Sequence, residues 1–227
     1  MGPDARVGIY YCPREDDPLF AAGAAWSGRD PTREDRMAQP DIPGIDEVTA
    51  EGRGYGFHAT LKPPMRLAPG CSWERLLTAS RSLADRIAPF ELPPLAVTDL
   101  HGFLALCETE HCAPLQALAD ACVAELDAYR SAPSEAELAR RRRARLSEAQ
   151  EAMLVRFGYP YVLETWFFHM TLTRKLSGKE HTIWRPAAER FFAPAVRATR
   201  LVTDICLFTQ TKPGAPFVIA ERIALSG

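Results

Sequence analysis

The chain has 227 residues, 47% of them hydrophobic and 25% charged, with 27 Lys and Arg set against 29 Asp and Glu. That composition lies in the ordinary globular range and supports one sizeable domain or two small lobes sharing a core. A formal charge of −2 gives no global pull toward nucleic acid or an anionic membrane, and no apolar run nears the ~20 residues that span a bilayer. Arg6-Val7-Gly8-Ile9-Tyr10-Tyr11 reads as a first strand, stopped by Cys12-Pro13. The N-terminus shows no basic region followed by an apolar signal core, so a cytoplasmic protein is expected. The six cysteines are scattered without a Cys-x-x-Cys pair, which fits reduced thiols.

Asp17-Pro18 can open a helix running through Leu19, Phe20 and Ala22 toward Trp26, with Gly28 as its stop. Residues 30–54 are rich in Pro, Asp, Arg and Gly with little periodicity and read as a long loop, a kind that is more often functional than idle. The loop leads into Phe57-His58-Ala59-Thr60-Leu61-Lys62, a strand by composition. Strand alternation puts His58, Thr60 and Lys62 on one face and Phe57, Ala59 and Leu61 on the other.

Trp73, Leu76, Leu77, Leu83 and Ile87 recur at helical spacing between Ser72, a capping residue, and Ala88. Strands Phe90–Leu100 and Phe103–Cys107 follow, joined near His101-Gly102, and Pro114 opens a helix through Leu126. His101, Cys107, His111 and Cys112 are the one thiol–imidazole cluster, but their spacing matches no common closed zinc site, and no metal is expected. Ser134–Phe157 reads as one long helix or a helical pair containing Arg140-Arg141-Arg142-Arg143-Ala144-Arg145. Leu138, Leu146, Ala149 and Met153 form an apolar stripe, and Glu137 stands four residues before Arg141. The basic run is therefore expected to be a solvated helix face, with an anion or RNA contact as the alternative.

Phe168-His169-Met170-Thr171-Leu172-Thr173 then repeats the first histidine segment, with His169, Thr171 and Thr173 on one face. A helix around Trp184–Phe192 and strands Arg200–Thr209 and Phe217–Leu225 complete the chain. Both halves read histidine strand, helix, strand, strand. The expected fold is α+β: a single bilobal, pseudo-twofold domain with antiparallel sheets lining a central cleft and helices outside. Its first half covers about 1–130, a helical connector about 131–160 and the second half about 161–227. The two motif strands are expected to face each other across the cleft.

A single His-x-Thr carries little information, because a strand histidine is usually structural. Two among only five histidines point to a shared site. Two imidazoles can deprotonate a water and protonate a leaving oxygen near neutral pH, while Thr60 and Thr171 hold non-bridging phosphate oxygens. His58 and His169 are thus the candidate catalytic pair, with no metal or cofactor called for, and the residues leave open which is acid and which base. Lys62, on the His58 face, is the best additional cation for substrate; Arg174, Tyr55 and Tyr11 (or Tyr10) are further candidate substrate contacts, as is Tyr161.

The paired H-x-T-L motifs resemble the two-histidine (2H) phosphoesterase superfamily, which includes RNA cyclic phosphodiesterases. Tyr55-Gly56-Phe57-His58-Ala59-Thr60-Leu61-Lys62-Pro63-Pro64, Trp26-Ser27-Gly28-Arg29-Asp30 and Gly158-Tyr159-Pro160-Tyr161-Val162 are similar to one bacterial branch, described as phosphonate-metabolism proteins and found with carbon–phosphorus lyase genes. The resemblance spans nearly the whole chain. It implies hydrolysis of a small cyclic phosphate, with a ribose cyclic phosphate from phosphonate breakdown as one candidate. A nucleotide or RNA 2′,3′-cyclic phosphodiesterase is the alternative enzyme, and a non-catalytic phosphometabolite-binding protein the alternative of another class. A small phosphorylated substrate, rather than RNA or a membrane, is the expected partner.

Overall fold

A computed structural model describes residues 2 and 4–227. In chain order its elements are β1 (Arg6–Tyr11), α1 (Pro18–Ser27), α2 (Ile45–Arg53), β2 (Ala59–Met65), α3 (Trp73–Ala84), β3 (Phe90–Leu92), β4 (Leu95–Leu100), β5 (Phe103–Glu108) and α4 (Ala113–Glu125). They continue with α5 (Glu135–Arg142), α6 (Glu148–Phe157), β6 (Met170–Thr171), α7 (Gly178–Val196), β7 (Arg200–Val202), β8 (Asp204–Gln210) and β9 (Val218–Ala224). The helix boundaries follow local chemistry. The Asp17 side chain accepts from Leu19 N at 2.8 Å, Pro18 takes the first turn, and Gly28 closes α1 in the left-handed region. Ser134, Ser147 and Ser177 each form a reciprocal capping box with the residue three positions on.

Seven strands form one sheet in the order β4-β5-β6-β2-β1-β8-β9, and β3 pairs with β7 in a separate ribbon. Every pairing is antiparallel. The fold is therefore α+β and pseudo-twofold, but its repeat starts earlier in each half than the histidine motifs. One frame is β1-α1-β2-α3-β3-β4 and the other β5-α4-β6-α7-β7-β8. Outward from the β2/β6 seam, each side shows a motif strand, the first strand of the same frame, and the last strand of the other frame. Strands β1 and β5 contain no histidine, which is why residue pattern alone sets the frame one strand and one helix too late.

The sequence-based expectation that the motif strands face each other across a cleft is corrected here. They are lateral neighbours, with Ala59 paired to Met170. Residues 30–54 are not wholly loop either, since α2 occupies their end. It starts after Gly44, whose φ of 86° favours glycine, and buries Ile45, Val48 and Thr49 at helical spacing. Phe90–Leu100 and Arg200–Thr209 are each split into two strands, and Ser134–Phe157 into two helices. The main core gathers Val7, Ile9 and Tyr11 of β1, Ala59 and Leu61 of β2, and apolar side chains of α1, α3, α4 and α7.

Candidate active site

The seam between the motif strands assembles the site. Continuing the Ala59–Met170 register by one residue each way sets His58 opposite Thr171, and Thr60 opposite His169. All four then project from the face opposite Ala59 and Met170, both of which are buried in the core. In a regular antiparallel ladder such opposite partners stand about 4.5–5.5 Å apart between Cβ atoms, and diagonal ones about 7–8 Å. Of the two imidazoles, His58 lines a cavity beside this seam and His169 lies outside its lining.

Both rings are fixed by the same bond. His58 Nδ1 lies 2.9 Å from Gly56 O and His169 Nδ1 lies 3.2 Å from Phe167 O, in each case a carbonyl two residues back. A carbonyl only accepts, so Nδ1 carries the hydrogen and Nε2 is left for proton transfer. Thr60 Oγ1 sits 3.4 Å from His58 Nε2. Gly56 makes the first bond feasible: its φ is 76°, and a Cβ there would come within 3.0 Å of Arg29 Nη2 and Pro31 Cβ.

The surroundings of the two rings differ. Tyr10 stacks on His58 with centroids 3.9 Å apart, and Phe208 closes another side at 5.9 Å. His169 lies 4.8 Å from Phe167, which is exposed, and 6.1 Å from Phe103. Burial first, and then charge on His169, push the His58 imidazolium down to about 4, against the Gly56 bond. His169 is also lowered by burial, against the Phe167 bond.

His58, Thr60, Thr171 and Thr173 line a cavity of about 450 Å³ with Arg6, Tyr10, Tyr55, Arg140, Arg141 and Tyr159 among its other walls. Tyr55 stacks on Phe217 at 5.2 Å and tilts toward His58 at 6.3 Å. The Thr173 hydroxyl accepts from Leu104 N at 3.0 Å and so braces β5 against the second motif.

Four expected contacts lie elsewhere. The β1–β2 register passes from Tyr10–Thr60 to Ile9–Lys62 and skips Leu61, so a bulge turns Lys62 onto the Ile9 face. Its ammonium is buried, donating to Val123 O at 3.1 Å and pairing with Asp127 at 3.2 Å. Arg174 binds Glu47 at 2.6 Å and Glu180 at 2.9 Å. Tyr11 points into the core beside Phe168, and its neighbour Tyr10 takes the place at the site. Tyr161 packs on Tyr159 and Phe167.

Most of the basic run is the solvated face expected, Arg142, Arg143 and Arg145 being exposed, while Arg140 and Arg141 at its start turn to the cavity. Glu137 forms a two-point pair with Arg66 at 3.1 and 2.8 Å, fixing α5 beside the end of β2. Arg140 and Arg141 thereby line the cavity, while Arg142 pairs with Glu151 at 2.7 Å. Among the described residues, no group of three or more His, Cys, Asp or Glu gathers as a metal site, the His101–Cys112 set included. Nor is any helix long and apolar enough to cross a membrane.

Some supporting residues carried no readable role in the sequence. Trp26 Nε1 donates to Leu172 O, and Trp166 Nε1 to Thr60 O, both at 2.8 Å, so each motif strand is tied to a distant indole. Arg29 is buried and donates to Arg53 O, Arg33 O and Phe217 O, each at 2.8 Å. It knits together the loops that deliver Gly56.

A family model described as a protein of unknown function (DUF1045) matches residues 60–218. A Janthinobacterium sp. (strain Marseille) protein named ribose 1,5-bisphosphate phosphokinase PhnN is 41% identical over 98% of this chain and 51% of its own length. A Laribacter hongkongensis (strain HLHK9) protein of the same name is 33% identical over 97% of this chain and 52% of its own. The chain thus spans about half the length of these curated relatives. The crystal structure of E. coli LigT in apo form aligns over the whole of both chains at 15% identity, with a TM-score of 0.47.

Proposed function

This chain belongs to the DUF1045 family, and we propose that it is a phosphoesterase that opens a small cyclic phosphate by paired-histidine acid/base catalysis. The observation that carries this reading is the pairing of Ala59 with Met170, whose register, continued one residue each way, crosses His58 with Thr171 and Thr60 with His169. His58, the more strongly depressed imidazole, is neutral at physiological pH and serves as the base. It takes a proton from water through Nε2 as the water oxygen bonds to phosphorus. The phosphorus–oxygen ester bond breaks on the opposite side, and the departing ring oxygen takes the Nε2 proton of His169. The products are a phosphomonoester and a hydroxyl; proton exchange with solvent resets both rings.

The substrate's anionic charge supplies what burial removes, because a negative group between the rings favours holding one proton there. Thr60 and Thr171 hydroxyls donate to the non-bridging oxygens as their charge develops. A ribose cyclic phosphate fits a cavity of about 450 Å³. The curated relatives are named for a ribose phosphate, and we place the hydrolytic chemistry in the half of them that this chain matches. A cyclic-ended RNA is the second reading, favoured by Arg140 and Arg141 beside the site.

Turnover of ribose 1,2-cyclic phosphate, 2′,3′-cyclic AMP and a cyclic-ended oligonucleotide, followed by phosphorus NMR, tests this. Ring opening of the ribose compound is the expected result. No ring opening of any of the three would overturn the hydrolytic reading.

A further inference from the structure

The cavity has a second polar end that the acid/base chemistry does not use. Side chains of β1 alternate, so Arg6, Gly8 and Tyr10 share the cavity face while Val7, Ile9 and Tyr11 enter the core. Gly8 lets the Tyr10 ring lie along the strand: a Cβ at Gly8 would meet the phenol oxygen at 2.6 Å. The phenol therefore starts over His58 and directs its hydroxyl toward Arg6. That hydroxyl is fully buried and has no hydrogen-bond partner among the described residues. A buried, unpartnered hydroxyl costs free energy that a ligand can recover.

Three guanidinium groups meet at this end. Arg6 gives its Nε to Gln210 at 2.8 Å and lies over the Phe217 ring, and the rest of its fork has no partner among the described residues. Arg141 lies over the Tyr159 ring, 4.4 Å from its centroid, which fixes its direction. Arg66, Arg130 and Arg142 all have carboxylate partners, whereas Arg6, Arg140 and Arg141 form no ion pair among the described residues. Forked donors with a neighbouring phenol match a phosphate monoester better than a neutral group. Strand rise of about 3.3 Å per residue separates the Arg6 and Tyr10 Cα atoms by about 13 Å, and their side chains close that to roughly the length of one sugar.

We propose that Arg6, Arg140, Arg141 and the Tyr10 hydroxyl form a second anion subsite, so the substrate is a small sugar carrying a phosphate monoester besides its cyclic phosphate. The inference rests on the proposed function for the identity of the first phosphate only. A ribose 5-phosphate skeleton meets the requirement, and opening its 1,2-cyclic phosphate at O2 leaves a 1,5-bisphosphate.

Calorimetry with two probes separates the ends of the cavity without any need for turnover. Ribose 5-phosphate is expected to bind the parent, and Arg6→Gln with Arg141→Gln to weaken it by about tenfold or more, as for lost bonds to a charged group. His58→Gln with His169→Gln is expected to change it less than about threefold, while ribose 1,5-bisphosphate is weakened by both pairs. Tyr10→Phe keeps the ring on His58 and removes only the hydroxyl, and is expected to weaken ribose 5-phosphate by a smaller factor. Thermal melts confirm that each variant is folded. The subsite is overturned if ribose 5-phosphate fails to bind the parent at millimolar concentration, or if its affinity follows the histidines and ignores the arginines. It is also overturned if a cyclic-ended trinucleotide lacking a 5′-phosphate binds more tightly than the bisphosphate and loses that affinity in the arginine variant. Loss of the hydrolytic reading alone would show as no turnover with this binding pattern intact.

Discussion

The two histidine motifs share a sequence pattern, a register and an anchoring bond, yet they sit in different surroundings. The first lies on β2, a full seven-residue strand between β1 and β6, with its imidazole under Tyr10. The second lies on β6, only two residues long, with its imidazole beside the exposed Phe167. Duplication supplies symmetrical geometry, and the packing around it separates proton affinities. Coupling between close imidazoles already splits their titration, and the unequal packing decides which ring holds the shared proton.

The sharpest way to break the comparison is to remove each imidazole in turn. His58→Ala and His169→Ala are each expected to lower kcat by roughly 10²–10⁴-fold, checked by steady-state kinetics on the cyclic phosphate. Retention of normal turnover by either variant would remove its ring from the mechanism. Thr60→Ala and Thr171→Ala should cost less, about 10–100-fold, as expected for bonds to a charged oxygen. The two threonines are related by the pseudo-twofold, so a large effect at one alone would show that phosphate lies off the seam.

The pH profile probes the asymmetry itself. The His58 pKa is held to about 4, so its base form persists well below neutral pH. His169 must be protonated to act as acid and is lowered by burial, so kcat/KM is expected to fall as pH rises through a value below 6.5. Bound substrate anion restores that proton, and the corresponding limb of kcat should lie at higher pH. Tyr10→Leu uncovers His58 and should move its limb upward toward the ordinary imidazole value. The same shift bears on stability. Below about pH 6.5 the unfolded chain holds a proton that the folded His58 refuses, so stability falls as pH drops from there to about 4. His58→Gln should flatten this part of a melting-temperature profile.

The smallest effects on activity should come from the two cations placed outside the cavity. Lys62→Ala leaves Asp127 with Arg130 but empties a buried site, and is expected to cost about 3 kcal/mol of stability, read by urea denaturation. Phosphate affinity should not change. Arg174→Ala breaks surface pairs with Glu47 and Glu180 and should leave both turnover and the urea midpoint close to the parent's.

What the sequence made legible was local and periodic. The His58 and His169 motifs, the cap at Ser72, the Asp17-Pro18 start and the first strand all follow from adjacent residues. The misread features depend on partners distant in sequence. A bulge is defined against β1, so alternation within β2 alone put Lys62 on the wrong face. The place of Arg141 depends on Glu137 reaching Arg66, a residue 71 positions away, rather than on its own helix. The lateral pairing of the motif strands hangs on a seam as short as Ala59 and Met170. The helix α2 was hidden because its stripe is only nine residues long, contains Gly52 and follows directly on Pro40, Pro43 and Gly44, so it reads as part of the loop before it.

The central claim is that both imidazoles carry hydrogen on Nδ1 and present Nε2 to one phosphate. Nitrogen-15 NMR of the histidine rings at pH 7, with His58→Gln and His169→Gln variants for assignment, measures this directly with inorganic phosphate as ligand. In the free protein both rings should be neutral Nδ1–H tautomers, and on adding phosphate one should become imidazolium while the other shifts at Nε2. Rings in the Nε2–H tautomer, or signals from both that ignore saturating phosphate, would contradict the account.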